Sequence, residues 1–264
     1  MKNLTHFATN LFENESSKNA FCRYSAFRKI AFLLVIILGS AQLVSAQYDP
    51  SAQFSAVNNP NSVWSYGFES VPIGSPFHLL TLPAPVPAVP GPTIDSWSSP
   101  AFGAVGVFHN GTAVPQSVTT VGPETSLFDP GMLAMNAGPN DEYGIVQFTA
   151  PAAGLYLIQG TFEGIDTAST VSSVYLLENN LVVAAGSVFG FGPGSDVSLS
   201  TVPVLLPAGG TLAYAVGGGP FNSMTALIDA QVAAVPEPSS LGIFGLAIVT
   251  FLRFAGPYRS VSER

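Results

Sequence analysis

Cationic residues are missing from most of this chain. All eight Lys and Arg lie at positions 2–29 or 253–264, so residues 47–234 contain none. The same span holds Asp49, Glu69, Asp95, Glu124, Asp129, Asp141, Glu142, Glu163, Asp166, Glu178, Asp196 and Asp229. Twelve acids against no bases give it −12, steeper than the −8 of the whole chain. Phosphate recognition rests on Lys and Arg, so nucleic acid is excluded as a partner. Anionic lipid and phosphorylated substrates are disfavoured for the same reason. A Schiff-base lysine and a cationic clamp for developing negative charge are absent as well.

Cysteine and histidine are nearly as scarce. The one cysteine, Cys22, lies in the basic N-terminal region, leaving residues 47–234 without a disulfide, a thiolate nucleophile or a sulfur metal ligand. His78 and His109 are the only histidines there, and no Gly-x-Ser-x-Gly elbow or His-Glu-x-x-His pair accompanies them. Helical periodicity is absent from the span too.

What is present begins with two marked ends. Lys2, Lys18, Arg23, Arg28 and Lys29 precede an apolar core, IAFLLVIILG, at 30–39. Val44-Ser45-Ala46 follows with small residues where a signal peptidase reads them, so cleavage after Ala46 leaves Gln47 first. Residues 1–46 therefore read as a signal peptide, with the Sec translocase and signal peptidase as its partners. At the other end, Pro236-Glu237-Pro238 precedes an apolar run over 241–252 and then Arg253. Twelve residues make roughly 18 Å of helix, short of the ~30 Å bilayer core, as suits a transient anchor. Arg253, Arg259 and Arg264 place this end in the cytoplasm by the positive-inside rule.

The tail, Val235-Pro236-Glu237-Pro238-Ser239-Ser240-Leu241 with its glycine-containing apolar run and Arg253, resembles the PEP-CTERM sorting domain. That resemblance implies processing by an exosortase-type membrane protease, in bacteria that make extracellular polysaccharide. Arg253 stands alone where the family carries a tight arginine cluster. The expected product is secreted or on the cell surface, transiently membrane-anchored through residues 235–264.

Residues 47–234 show the two-residue alternation of strands. Strands are expected over 63–68, 104–109, 112–114, 143–149, 155–162, 171–178, 182–188, 199–206, 211–217 and 225–232. Asn110-Gly111 and Asn179-Asn180 read as hairpin turns. Pro83, Pro85, Pro87, Pro90 and Pro92 mark an extended loop. The expected fold is all-β, a single β-sandwich or jelly-roll domain. Segments 54–67 and 146–156, with Phe162, Asp166, Val216-Gly217-Gly218-Gly219 and Asp229, resemble a domain carried by other sorted proteins, itself like carbohydrate-binding jelly rolls in outline.

Candidate chemistry is sparse. Glu163 and Asp166 are close enough in sequence to share a loop rim, as calcium ligands or as the two acids of a glycoside hydrolase. Trp97, between Asp95 and Ser98-Ser99-Pro100, is the expected exposed ring for stacking on a sugar, whereas Trp64 is expected in the core. No catalytic residue and no cofactor is expected beyond a calcium ion. The first functional expectation is a non-catalytic structural or extracellular-matrix protein, in contact with extracellular polysaccharide. The alternatives are a carbohydrate- or calcium-dependent adhesion module and, after that, a glycoside hydrolase.

Overall fold

The computed structural model describes residues 46–99, 105–119, 125–168, 170–218 and 223–235. The PEP motif, Arg253 and all of the signal segment except Ala46 lie outside the described residues. One compact unit spans Ser45–Val235. Among the described residues its regular structure is β-strand, apart from one 3-10 turn at Gly192–Ser195. No helix among them is long and apolar enough to cross a membrane.

Two sheets face each other. The six-stranded sheet runs in the order β14 (Leu181–Gly190), β13 (Thr170–Glu178), β17 (Thr211–Gly217), β11 (Tyr143–Thr149), β2 (Trp64–Glu69) and β3 (His78–Leu79). The ten-stranded sheet runs β15 (Val197–Ser200), β12 (Gly154–Gly164), β18 (Met224–Val235), β10 (Leu133–Asn136), β7 (Gly106–His109), β6 (Thr93–Ser98) and β4 (Leu82–Pro83). Three short strands join its sides: β1 (Gln47–Tyr48) on β18, β5 (Val86–Pro87) on β6, and β16 (Val204–Leu206) on β12. A separate hairpin pairs β8 (Gln116–Thr119) with β9 (Thr125–Phe128).

Alternation explains the layering. On β2, β11 and β17 the inward set is Trp64, Tyr66 and Phe68, then Val146 and Phe148, then Leu212, Tyr214 and Val216. These meet Leu133, Met135, Ile158, Phe162 and Val232 from the other sheet. Each such side chain stabilises the fold by about 1.5–3 kcal/mol through burial. Tyr214 is fully buried, and its hydroxyl lies 2.7 Å from the Gln159 carbonyl and 3.0 Å from that of Gln231. That satisfies a polar group which would otherwise be costly to bury. The expectation of an all-β sandwich is met.

Each sheet also buries part of its outer face. Phe108, Ala134, Ala226 and Ile94 turn away from the main core and pack with Val118 and Phe128 of the β8–β9 hairpin. On the six-stranded sheet, Ile145, Leu177, Ala213 and Ala215 are packed by Ile73 and Phe77, from the strap of residues 70–77. Glu69 anchors that strap by accepting the Gly74 N–H at 2.9 Å, and Asn180 Nδ2 donates to the Ser75 carbonyl at 3.2 Å.

Two local expectations fare differently. Asn179 and Asn180 both have positive φ, 46° and 65°, as a two-residue hairpin turn requires, and Glu178 pairs with Leu181 across it. Asn110-Gly111 makes no hairpin: β7 pairs with β6 and β10, and the next strand, β8, pairs with β9. Asn110 is fully buried, its Nδ2 donating to the carbonyls of Val114, Phe128 and Asp129. The residue type that favours turns is used here to tie three backbone segments together.

Candidate functional site

The strap leaves one part of the six-stranded sheet open. Along β13, Val174 and Leu176 point into the main core while Tyr175 and Leu177 pack on the outer face, so Val171 and Ser173 are also outward. Along β14, Val188 points inward and Gly186 approaches Val197, which turns Ala185, Ser187 and Phe189 outward. Val171 lies opposite Phe189, Ser173 opposite Ser187, and Tyr175 opposite Ala185. The result is a two-column face of apolar groups and hydroxyls without a charged side chain.

Phe189 is the most exposed ring on it, at 75%. A phenylalanine this open sacrifices burial energy of about 1.5–3 kcal/mol, so it marks surface available to a partner. Phe191, just past the strand, is 45% exposed. Tyr175 is half-buried and meets Tyr143 edge-on, ring centres 5.8 Å apart. Tyr143 is seated by its surroundings: a Cβ at Gly217 would overlap its ring. Burial chiefly, then the Tyr175 and Asp141 charges, the hydrogen bond with Tyr175 and the Glu69 charge, raise its phenol above the ordinary value. The Tyr143 phenol is therefore held in its neutral form at neutral pH. Tyr175 and Phe189 sit four residues apart in register, roughly 13 Å at 3.3 Å per residue.

Trp97 does not lie in an exposed loop. It sits on β6, 3% exposed, with Nε1 donating to the Ser55 carbonyl at 2.8 Å. Polar neighbours in sequence mask an inward-facing position of a strand, and a ring so enclosed offers no face for stacking. Trp64 is fully buried, as expected.

Glu163 and Asp166 take different partners. Asp166 is buried; its carboxylate accepts from Ser126 Oγ and from the Met224 N–H, joining β9, β18 and the turn after β12. Glu163 points out of β12 towards Asp196. Burial, then the hydrogen bond to the Asp196 carboxyl and the charges of Asp196 and Asp129, push the Glu163 carboxyl up to about 7. The two acids are thus engaged with different partners and do not act as one pair. Among the described residues no group of three or more His, Cys, Asp and Glu is arranged to hold a metal ion. Ala46, the expected cleavage point, accepts a backbone hydrogen bond from Ala234 at 2.9 Å.

Phe189, Tyr175 and Phe191 were missed in the sequence. The available signal was parity: an exposed ring one residue from a core valine, at the outward positions of an uncharged strand.

Comparison with protein-family profiles returns no match, and comparison with curated protein sequences returns none. Several solved structures show a partial likeness. The carbohydrate-binding module TmCBM61, in complex with β-1,4-galactotriose, is 13% identical with a TM-score of 0.27, covering 51% of this chain and 90% of the module. A family 35 carbohydrate-binding module from Clostridium thermocellum is 12% identical at 0.25, covering 58% and 98%. The N-terminal cellulose-binding domain of Cellulomonas fimi β-1,4-glucanase C is 14% identical at 0.26, covering 47% and 89%. With scores this low, what the open face does rests on its own chemistry.

Proposed function

We propose that this chain is an extracellular, non-catalytic binding module that holds neutral polysaccharide on the outer face of β13 and β14. The observation that carries the reading is Phe189, an aromatic ring left open on an uncharged sheet face with Tyr175 roughly 13 Å away along the strands. Sugar rings present apolar C–H faces that lie flat on aromatics, while their hydroxyls take hydrogen bonds from groups such as Ser173, Ser187 and the Tyr175 phenol. Aromatic anchors of this kind dominate binding energy where they occur.

Charge narrows the ligand. With no Lys or Arg between Gln47 and Val235, a uronate or sulfated polymer finds no counter-charge and meets twelve carboxylates instead. The ligand is therefore neutral. The carboxylates Glu163 and Asp166 are not among the groups of this face, so binding is independent of calcium. In this reading the sandwich is a jelly roll, the signal peptide exports it, and the PEP-CTERM-like tail delivers it through an exosortase-type protease to the polysaccharide-rich surface.

Affinity electrophoresis tests the reading. The chain should be retarded in gels containing a neutral β-linked glucan or galactan. Retardation should be unchanged by EDTA and weakened about tenfold or more by Phe189→Ala. Free migration through every neutral polysaccharide tried would favour a purely structural matrix role.

A further inference from the structure

The face that carries Phe189 is open at one end and closed at the other. Along β13 the outward residues become progressively covered: Val171 is 39% exposed, Ser173 and Tyr175 are half-buried, and Leu177 is 1% exposed. The cover is the strap, whose Ile73 and Phe77 pack on the cluster of Leu177, Ala213 and Ala215. At the other end Phe189 and Phe191 stand clear. The flank towards β17 is closed as well. Ser173 lies opposite Gly217 there, and the Tyr143 ring occupies the space that a Cβ of this glycine would need.

The strap is held in place from two sides. Glu69 accepts the Gly74 N–H at 2.9 Å, and Asn180 Nδ2 donates to the Ser75 carbonyl at 3.2 Å. Gly74 has a φ of 89°, and a Cβ on it would stand 2.6 Å from the Asn180 carbonyl oxygen. Strap and turn therefore meet at a distance that only glycine allows. With Ile73 and Phe77 seated on apolar groups beneath, the strap is a fixed wall.

The two aromatic rings set the course of a ligand towards that wall. Phe189 lies opposite Val171, and Tyr175 opposite Ala185. A chain stacked on both rings crosses from β14 to β13 while advancing four positions, roughly 13 Å, towards the Asn179-Asn180 turn. Carried on, the same line passes over Leu177 and Ala213, which are paired across β13 and β17 and lie under the strap. Beyond Tyr175 the polymer has no room to continue, whereas past Phe189 it runs out freely.

We infer, on the reading of this face as a site for neutral polysaccharide, that it holds the terminal units of a chain, the last of them on Tyr175 against the strap, and not an internal stretch. A terminal unit carries a free hydroxyl where an internal one continues into the next sugar. The hydrogen-bonded phenols of Tyr143 and Tyr175 offer that hydroxyl a donor and an acceptor at the blind end.

Titration calorimetry of the full-length chain tests this, using sized linear fractions of the neutral glucan or galactan that retards it in gels. Binding should saturate at one protein per polysaccharide chain at every length, so that shorter fractions of equal mass take up more protein. Affinity per chain should rise only until both rings are covered and then stay constant. Fractions that reach a single ring should bind about tenfold or more weakly. A number of proteins per chain that grows with chain length overturns the inference and leaves the binding face standing, as does affinity per chain that climbs without levelling. If no neutral polysaccharide retards the chain, the polysaccharide site itself is overturned, and its blind end with it.

Discussion

Val171 and Phe189 face each other across β13 and β14 on the outside of the sandwich, 39% and 75% exposed. Neither is needed to close the core, which Val174, Leu176 and Val188 complete from the opposite side of the same strands. This separates two effects that usually travel together. Phe189→Ala should leave the unfolding free energy from urea denaturation within about 0.5 kcal/mol of the parent, since it removes almost no buried contact. The same substitution should cost about 1–2 kcal/mol in polysaccharide affinity by titration calorimetry.

Asp166 behaves in the opposite way. It is buried, and two donors from distant parts of the chain, Ser126 and Met224, converge on its carboxylate. Asp166→Ala leaves both without an acceptor and should destabilise the domain by about 3 kcal/mol in urea denaturation. Asp166→Asn keeps one carbonyl oxygen and should cost less. Calcium should not rescue either variant.

Stability should fall as pH rises from about 5 to 8. Glu163 is pushed up to about 7 by burial and its acidic neighbours, and burial raises Glu69 despite the Gly74 N–H that favours its charged form. A carboxyl whose folded pKa is raised binds its proton more tightly in the folded state. Its contribution is therefore complete below the unfolded value, near 4.5, and is lost as pH climbs through the folded one. Thermal melts across this range should show the decline, and Glu163→Gln should flatten it.

Gly67 and the strap offer a mechanical test. A Cβ at Gly67 would overlap the Phe77 ring and lie 2.5 Å from the His78 carbonyl oxygen. Gly67→Ala should therefore displace Phe77, cost about 1–3 kcal/mol, and open residues 70–77 to limited proteolysis before the rest of the domain.

The sequence disclosed those parts of the fold whose causes are local. Alternation located 143–149 and 211–217 as strands, and Asn179-Asn180 announced its turn because both residues tolerate positive φ. The β6, β9 and β10 strands escaped, being four to six residues long with polar positions that mimic loop. Trp97 was misjudged for that reason, and Asn110 because burial reversed the usual role of its type. The open face was hidden for a deeper reason. Whether Phe189 is covered depends on how far the strap from β2 reaches over the sheet, and that contact joins residues more than a hundred positions apart.

The pairing of β1 with β18 sets Gln47 beside Ala233 and Tyr48 beside Val232. Entry and exit of the unit are adjacent rungs of one ladder. A short peptide joining them would close the chain into a ring, and a new opening at an exposed turn such as Gly209 would then give a circular permutant with the same sandwich. By the same geometry the unit inserts into a surface loop of a host protein without prising the host's own strands apart.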